Sequence, residues 1–95
     1  MDRRLRKALK ELLDSELEHR RRAMETFVRL TFESFMRCLY RYLGNEVECE
    51  DVLENVYADI WEKPDHLAHI GDKRELLRTV YMYYMRSVCG RFTAG

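Results

Sequence analysis

The chain has 95 residues, 46% hydrophobic and 36% charged, with 17 basic and 17 acidic side chains and no net charge. This fits one small domain and excludes a disordered tail. It holds no apolar run of transmembrane length, no signal-like apolar stretch after its basic start, and no C-x-x-C pair among Cys38, Cys49 and Cys89; a reducing cytoplasm is the expected location, with no membrane, zinc site or disulfide framework.

A first helix is predicted over about residues 2–21. Leu5, Ala8, Leu9, Leu12, Leu13 and Leu17 recur at helical spacing, and Arg3, Arg4, Arg6, Lys7 and Lys10 fill the other face. A second is predicted over about 23–43, either separate or running on from the first. Met24, Phe27, Val28, Thr31, Phe35, Cys38, Leu39 and Tyr42 form its main stripe, and Leu30, Phe32, Met36, Tyr40 and Leu43 lie off it. A helix apolar on more than one side is usually central in a bundle. Gly44 is the expected stop. Residues 1–22 thus read as a helix leading into a helical domain over residues 23–92, with 93–95 as a tail.

A third helix is predicted over about 46–63, with Asn45 as cap and Glu48 three residues on. Val52 with Leu53, Val56 with Tyr57, and Ile60 with Trp61 repeat as inward pairs, leaving Asp51, Glu54, Asn55, Asp59 and Glu62 outside. Pro64 ends it, and residues 64–71 form a loop. Asp72 and Glu75 signal a fourth helix over about 73–91. There Leu76, Leu77, Val80, Tyr81, Tyr84, Met85, Val88, Cys89 and Phe92 repeat the paired pattern, and Arg74, Arg78, Tyr83 and Arg86 point outward. Cys38 and Cys89 fall on apolar stripes and are expected in the core. The reading is an all-α bundle of three to four helices.

Charge is divided unevenly. Residues 1–43 carry 11 basic and 7 acidic groups, residues 44–66 carry 1 and 8, and residues 67–95 carry 5 and 2. An acidic middle between basic ends suits different partners on different faces, or simply solvated helix surfaces. No convergent catalytic set, glycine-rich phosphate loop or nucleophile motif occurs, so no enzyme or cofactor is expected. His66 and His69 have no third ligand and read as solvated loop residues, and His19 as surface.

The run Leu43-Gly44-Asn45-Glu46-Val47-Glu48-Cys49-Glu50-Asp51-Val52-Leu53-Glu54-Asn55-Val56-Tyr57-Ala58-Asp59-Ile60-Trp61 resembles region two of extracytoplasmic-function sigma factors. That family reads leucine-glycine, a short acidic turn, Ala-Glu-Asp, a hydrophobic pair, Gln-Glu-Val-Phe, then a hydrophobic-Trp pair. Cys49 stands for the alanine, Glu54 and Asn55 for Gln-Glu, and Tyr57 for Phe. Ala23-Met24 and Phe27-Val28 align with the family's Ala-Phe and Leu-Tyr, and Trp61-Glu62-Lys63 before a short loop is similar to the Bacteroidetes versions. The resemblance spans about residues 23–92.

It implies a transcription initiation factor domain. The helix over 46–63 would dock on the β′ coiled coil of core RNA polymerase, with Asp51, Glu54, Asn55 and Asp59 as the complementary polar face. The fourth helix would recognise or melt the minus-ten promoter element, partly as single-stranded DNA. Lys73, Arg74, Arg78 and Arg86 would contact phosphates, Tyr83 would stack, and loop residues 65–71 would flank the base pocket. Here the sequence departs from the family. Leu76 stands at its Trp or Tyr, Tyr83 at its Asn, Met85 at its Ala and Ser87 at its Asp or Asn. Those departures fit an alternative: a sigma-like interaction module that binds polymerase or an anti-sigma protein without reading DNA. A helical bundle that dimerises through exposed aromatics is a further alternative. The resemblance leaves no room for the family's region four after residue 92, so either an excised N-terminal domain, the favoured expectation, or a protein that lacks that module is implied.

Overall fold

A computed structural model describes residues 2–67 and 70–94, with side chains through Arg86. Its described residues form four α-helices and one 3-10 turn, and no strand. The chain is an all-α bundle, with one connected core running from Leu5 to Tyr83.

Helix α1 (Arg3–Glu11) starts at Asp2, whose side chain accepts the Arg4 backbone N–H at 2.8 Å. It ends at Leu12, well short of the predicted end near residue 21, and helix α2 (Leu17–Leu43) begins five residues later. Asp14 accounts for the break. Its Oδ1 accepts the Glu16 backbone N–H at 2.9 Å, a local turn that competes with continuing the helix. Leu17, expected on the apolar stripe of a longer first helix, is exposed as a result. The boundary placed at residue 22 falls inside α2. Leu5, Ala8, Leu9 and Leu12 of the first helical segment join the same core as Phe27 and Ile60.

Helix α2 packs against both α1 and helix α3 (Glu46–Glu62), as its two apolar sides suggest. Ala23, Phe27, Thr31, Phe35 and Leu39, spaced by four, form its buried line. Continued by four, that line reaches Leu43, so Tyr42 turns outward and is 63% exposed despite its expected place on the stripe. Gly44 stops the helix at φ 66°, in the left-handed region, with its N–H bonded to the Tyr40 carbonyl. Thr31 is the polar member of the core. Its hydroxyl donates to the Phe27 carbonyl at 2.6 Å and lies 2.8 Å from the Tyr57 hydroxyl. Since Thr31 has a single proton, Tyr57 donates to Thr31. The rings of Phe27, Phe35 and Tyr57 pack mutually at about 6 Å around this pair.

Asn45 caps α3 by accepting the Glu48 N–H at 3.1 Å. Cys49, Leu53, Val56 and Ile60 are fully or almost fully buried, and Val52 and Tyr57 pack at the margin. Cys49, not Cys38, is the core thiol: Cys38 is half-buried, and the Cys89 side chain lies outside the described residues. Burial pushes the Cys49 thiol pKa up. Residues Pro64–Leu67 form a 3-10 turn that plugs Leu67 into the core. Asp72 then accepts the Glu75 N–H, and Glu75 reaches back to the Gly71 N–H, which opens helix α4 (Lys73–Ala94).

Helix α4 is rotated relative to expectation. Leu76, Val80 and Tyr83 form its buried line, while Tyr81 and Met85, expected inside, are exposed. Tyr83, expected outward as a stacking residue, is 2% exposed. The cause is polar: its hydroxyl donates to the Lys63 carbonyl at 2.7 Å, which draws that edge of α4 onto the end of α3. Desolvation there raises the Tyr83 pKa. The expected burial of Val88, Cys89 and Phe92, and the surroundings of His69, lie outside the described residues and side chains.

Candidate functional site

The outer face of α3 presents Asp51, Glu54 and Asn55 to solvent, directly over the closed core of Leu53, Val56 and Ile60. The helical repeat of 3.6 residues puts positions 51, 54, 55, 58 and 62 on one ridge. Asp59 is half-buried and turns toward α4, where it lines a shallow cleft of about 230 Å³ with Glu62, Lys63, Tyr83 and Arg86. All ion pairs among the described residues lie before residue 22: Arg4–Asp2, Lys7–Glu11, Arg21–Glu18, and His19 with Asp14 and Glu16. The carboxylates of α3 are therefore unpaired within the described part of the chain, and carry their charge outward.

Beside Glu54 the ridge adjoins a groove between α2 and α3. Val28, Phe32, Leu53 and Tyr57 form its apolar floor, and Glu50 and Glu54 its rim. Phe32 is exposed there. An apolar floor with a carboxylate rim suits a partner helix that carries an apolar anchor between basic residues.

The cations assigned to α4 divide between two flanks. Lys73, Arg74 and Arg78 are exposed on its first two turns. Lys73 also faces Arg37 and Arg41 of α2 across a groove of about 240 Å³. Arg86 is exposed on the other side of the helix, with Nη1 3.4 Å from His66 Nε2. Tyr83 is not on the outer face with them, and His66 packs edge-on against its ring at 5.9 Å. Of the five expected DNA-contacting residues, three share a surface, one stands apart and one is in the core.

Several residues that organise these surfaces escaped sequence reasoning. Arg20 is the clearest. Its Nε donates to the Leu12 carbonyl at 3.1 Å and its Nη2 to the Trp61 carbonyl at 2.6 Å, and its guanidinium sits 4.3 Å from the centre of the Trp61 ring. One side chain thus fastens the end of α1, the start of α2 and the end of α3. With Tyr83 on the Lys63 carbonyl, it leaves the C-terminus of α3 doubly capped by side chains. Pairing by sequence distance gave no hint, since Arg20 and Trp61 are 41 residues apart. Arg37 and Arg41 share the exposed side of α2 with Tyr42, for which the apolar stripe predicts burial instead.

Among the described residues no cluster of three His, Cys, Asp or Glu is placed to hold a metal, and no helix is long and apolar enough to cross a membrane. Set against protein-family models, curated proteins and solved structures, the chain finds no match.

Proposed function

We propose that this chain is a transcription initiation factor domain of the extracytoplasmic-function sigma type. It binds core RNA polymerase through the α3 ridge and holds promoter DNA with the cationic part of α4. The observation that carries the reading is the ridge itself. Asp51, Glu54 and Asn55 stand exposed, and none has an ionic partner among the described residues. They lie in the segment that resembles the family's polymerase-binding region, with Val56 and Ile60 locked beneath them at 0% exposure. A charged face over a rigid core is what an orienting interface requires. Asp59, half-buried, lies at the edge of the ridge and lines the cleft with Tyr83 and Arg86.

A pulldown with core polymerase tests this. The unsubstituted chain is expected to be retained, and Asp51→Arg with Glu54→Arg to lose at least about tenfold in affinity without loss of fold, since both sites are exposed. Equal retention of the charge-reversed chain would overturn the reading.

The burial of Tyr83 favours a second reading, a sigma-like module that binds polymerase or an anti-sigma protein without recognising DNA. Binding of single-stranded minus-ten DNA in the presence of core polymerase separates the two. Retention that falls with Arg78→Ala supports the first, and polymerase binding with no promoter retention supports the second.

A further inference from the structure

We propose that the flank between the second half of α2 and the first half of α4 is a stacking platform for single-stranded nucleic acid, built on Tyr42, Tyr81 and Tyr84 with Arg37, Arg41 and Lys73 beside them. The inference rests on the nucleic-acid half of the function proposed above and is independent of polymerase docking.

Three tyrosines from two helices form a continuous ladder. The Tyr42 and Tyr81 rings are 5.7 Å apart and tilted by 45°, and Tyr81 and Tyr84 are 6.1 Å apart and tilted by 51°. Tyr42 is 63% and Tyr81 41% exposed, so ring faces remain open to solvent. The tyrosine hydroxyls that are bonded among the described residues belong to Tyr57 and Tyr83, not to the ladder. Next to the ladder runs the groove of Ser34, Arg37, Cys38, Arg41, Lys73 and Leu77, which contains no carboxylate. Its three cations make no ion pair with a described residue. Exposed rings and unpaired cations stand side by side here, a combination that a partner with both flat faces and negative charge can cover at once.

Charge and shape select the occupant. A polyanion answers the cations, and flat π-faces answer the rings; a nucleic-acid single strand offers both, while duplex bases are already stacked. A second copy of the chain fits poorly, because a two-fold contact of this patch with itself offers Arg37, Arg41 and Lys73 no carboxylate from their groove to meet. The platform also supplies the aromatic contact that Tyr83, buried in the core, does not.

Fluorescence anisotropy of the full chain provides the test. The probes are fluorescein-labelled oligo(dT) and oligo(U) of about 16 nucleotides, and a mixed-sequence duplex of the same length. Measurements are made with and without core polymerase, on the unsubstituted chain, Tyr42→Ala/Tyr81→Ala and Tyr42→Phe/Tyr81→Phe. At least one single strand is expected to bind in preference to the duplex. The alanine pair is expected to weaken it by at least about tenfold, and the phenylalanine pair to retain it, since stacking needs the ring and not the hydroxyl. Oligo(dT) against oligo(U) shows whether the strand is DNA or RNA. Unchanged binding by the alanine pair, or a duplex bound as tightly as the single strands, would overturn the platform while leaving promoter contact by α4 standing. Failure of the unsubstituted chain to bind any single strand, even with polymerase, overturns both. A dimer in sedimentation that the alanine pair dissolves would make the ladder a self-interface and likewise overturn the proposal.

Discussion

At the C-terminal end of α3, Arg20 and Tyr83 are bonded to carbonyls of their own chain, whereas on the α2–α4 flank Arg41, Tyr42 and Tyr81 face solvent with no bonded partner among the described residues. The same residue types do opposite things within one small bundle. What separates them is the helix terminus. The last turn of a helix leaves carbonyls with no internal donor, and α3 ends where α1, α2 and α4 converge, so side chains are drawn in to satisfy it. The flank holds a helix end too, since Arg41 and Tyr42 lie in the last turn of α2, but that end is closed by the Gly44 backbone N–H on the Tyr40 carbonyl, and no described side chain is bonded there. One site is consumed by folding and the other is left available for binding.

The largest expected effect tests the first half of this contrast. Arg20→Ala removes two charge-assisted hydrogen bonds and a cation–ring contact, and leaves the Leu12 and Trp61 carbonyls unanswered. About 3 kcal/mol of stability should be lost, lowering the thermal midpoint by more than about 10 °C. Arg41→Ala, by contrast, should move it by no more than about 2 °C. If the two substitutions melt alike, the division between the two sites is wrong. Arg20→Lys should recover only part of the loss, because an ammonium does not span both carbonyls in a planar fork.

Next in size is the Thr31–Tyr57 pair, which asks whether polar groups under the acidic ridge are as firmly held as those at its end. Thr31→Val strands the Tyr57 hydroxyl beside the aromatic cluster and should cost about 2 kcal/mol by denaturant unfolding. Tyr57→Phe leaves Thr31 bonded to the Phe27 carbonyl and should cost about half as much. An equal cost for both would refute the assigned direction of donation.

This contrast also marks what could be read from the sequence. The helix count, the stop at Gly44, the cap at Asn45 and the inward line of α3 were legible, because each depends on residues within a turn of one another. The end of α1 was not: leucines continue in helical phase through Leu17, and only the Asp14 turn together with a guanidinium from Arg20 overrides them. The rotation of α4 was not legible either. Leu77, Tyr81 and Met85 are as apolar as Leu76, Val80 and Tyr83, so periodicity cannot choose between the two lines; the Lys63 carbonyl does. At the candidate site, the exposure of Asp51, Glu54 and Asn55 followed from the pattern. The pairing of Tyr42 with Tyr81 and of Arg37 and Arg41 with Lys73 joins residues about 30 to 40 apart in sequence and required the packing of α2 and α4.

A smaller effect is expected in alkali. Burial pushes the Tyr57 hydroxyl pKa up from its ordinary 10.0 to about 12. The folded state therefore holds the proton more tightly than the unfolded chain. The corresponding stability is fully present below about pH 10 and is lost as the pH rises from about 10 to about 12. For a ring at the margin of the core, the loss should be no more than about 1.5 kcal/mol. Tyr57→Phe, followed by thermal melts across that range, should flatten the alkaline decline. An unchanged slope would show that other groups, Tyr83 foremost among the buried phenols, govern it.

The smallest effect lies at the break between α1 and α2, where the polar contacts are exposed. Asp14 has its pKa held below 3.8, first by the Glu16 backbone N–H and then by the His19 side chain. A depressed carboxyl contributes stability above the unfolded value and loses it as the pH falls through the folded one. The loss should therefore appear only in melts below about pH 4, as a shift of about 1–2 °C, small because solvent screens both partners. Asp14→Asn keeps an acceptor for the Glu16 N–H but not the charge, so it should remove the acid dependence and preserve the helix start. Asp14→Ala removes the acceptor as well. If it melts like Asp14→Asn at neutral pH, the turn is not what divides the first two helices, and the Arg20 guanidinium on the Leu12 carbonyl must hold that break alone.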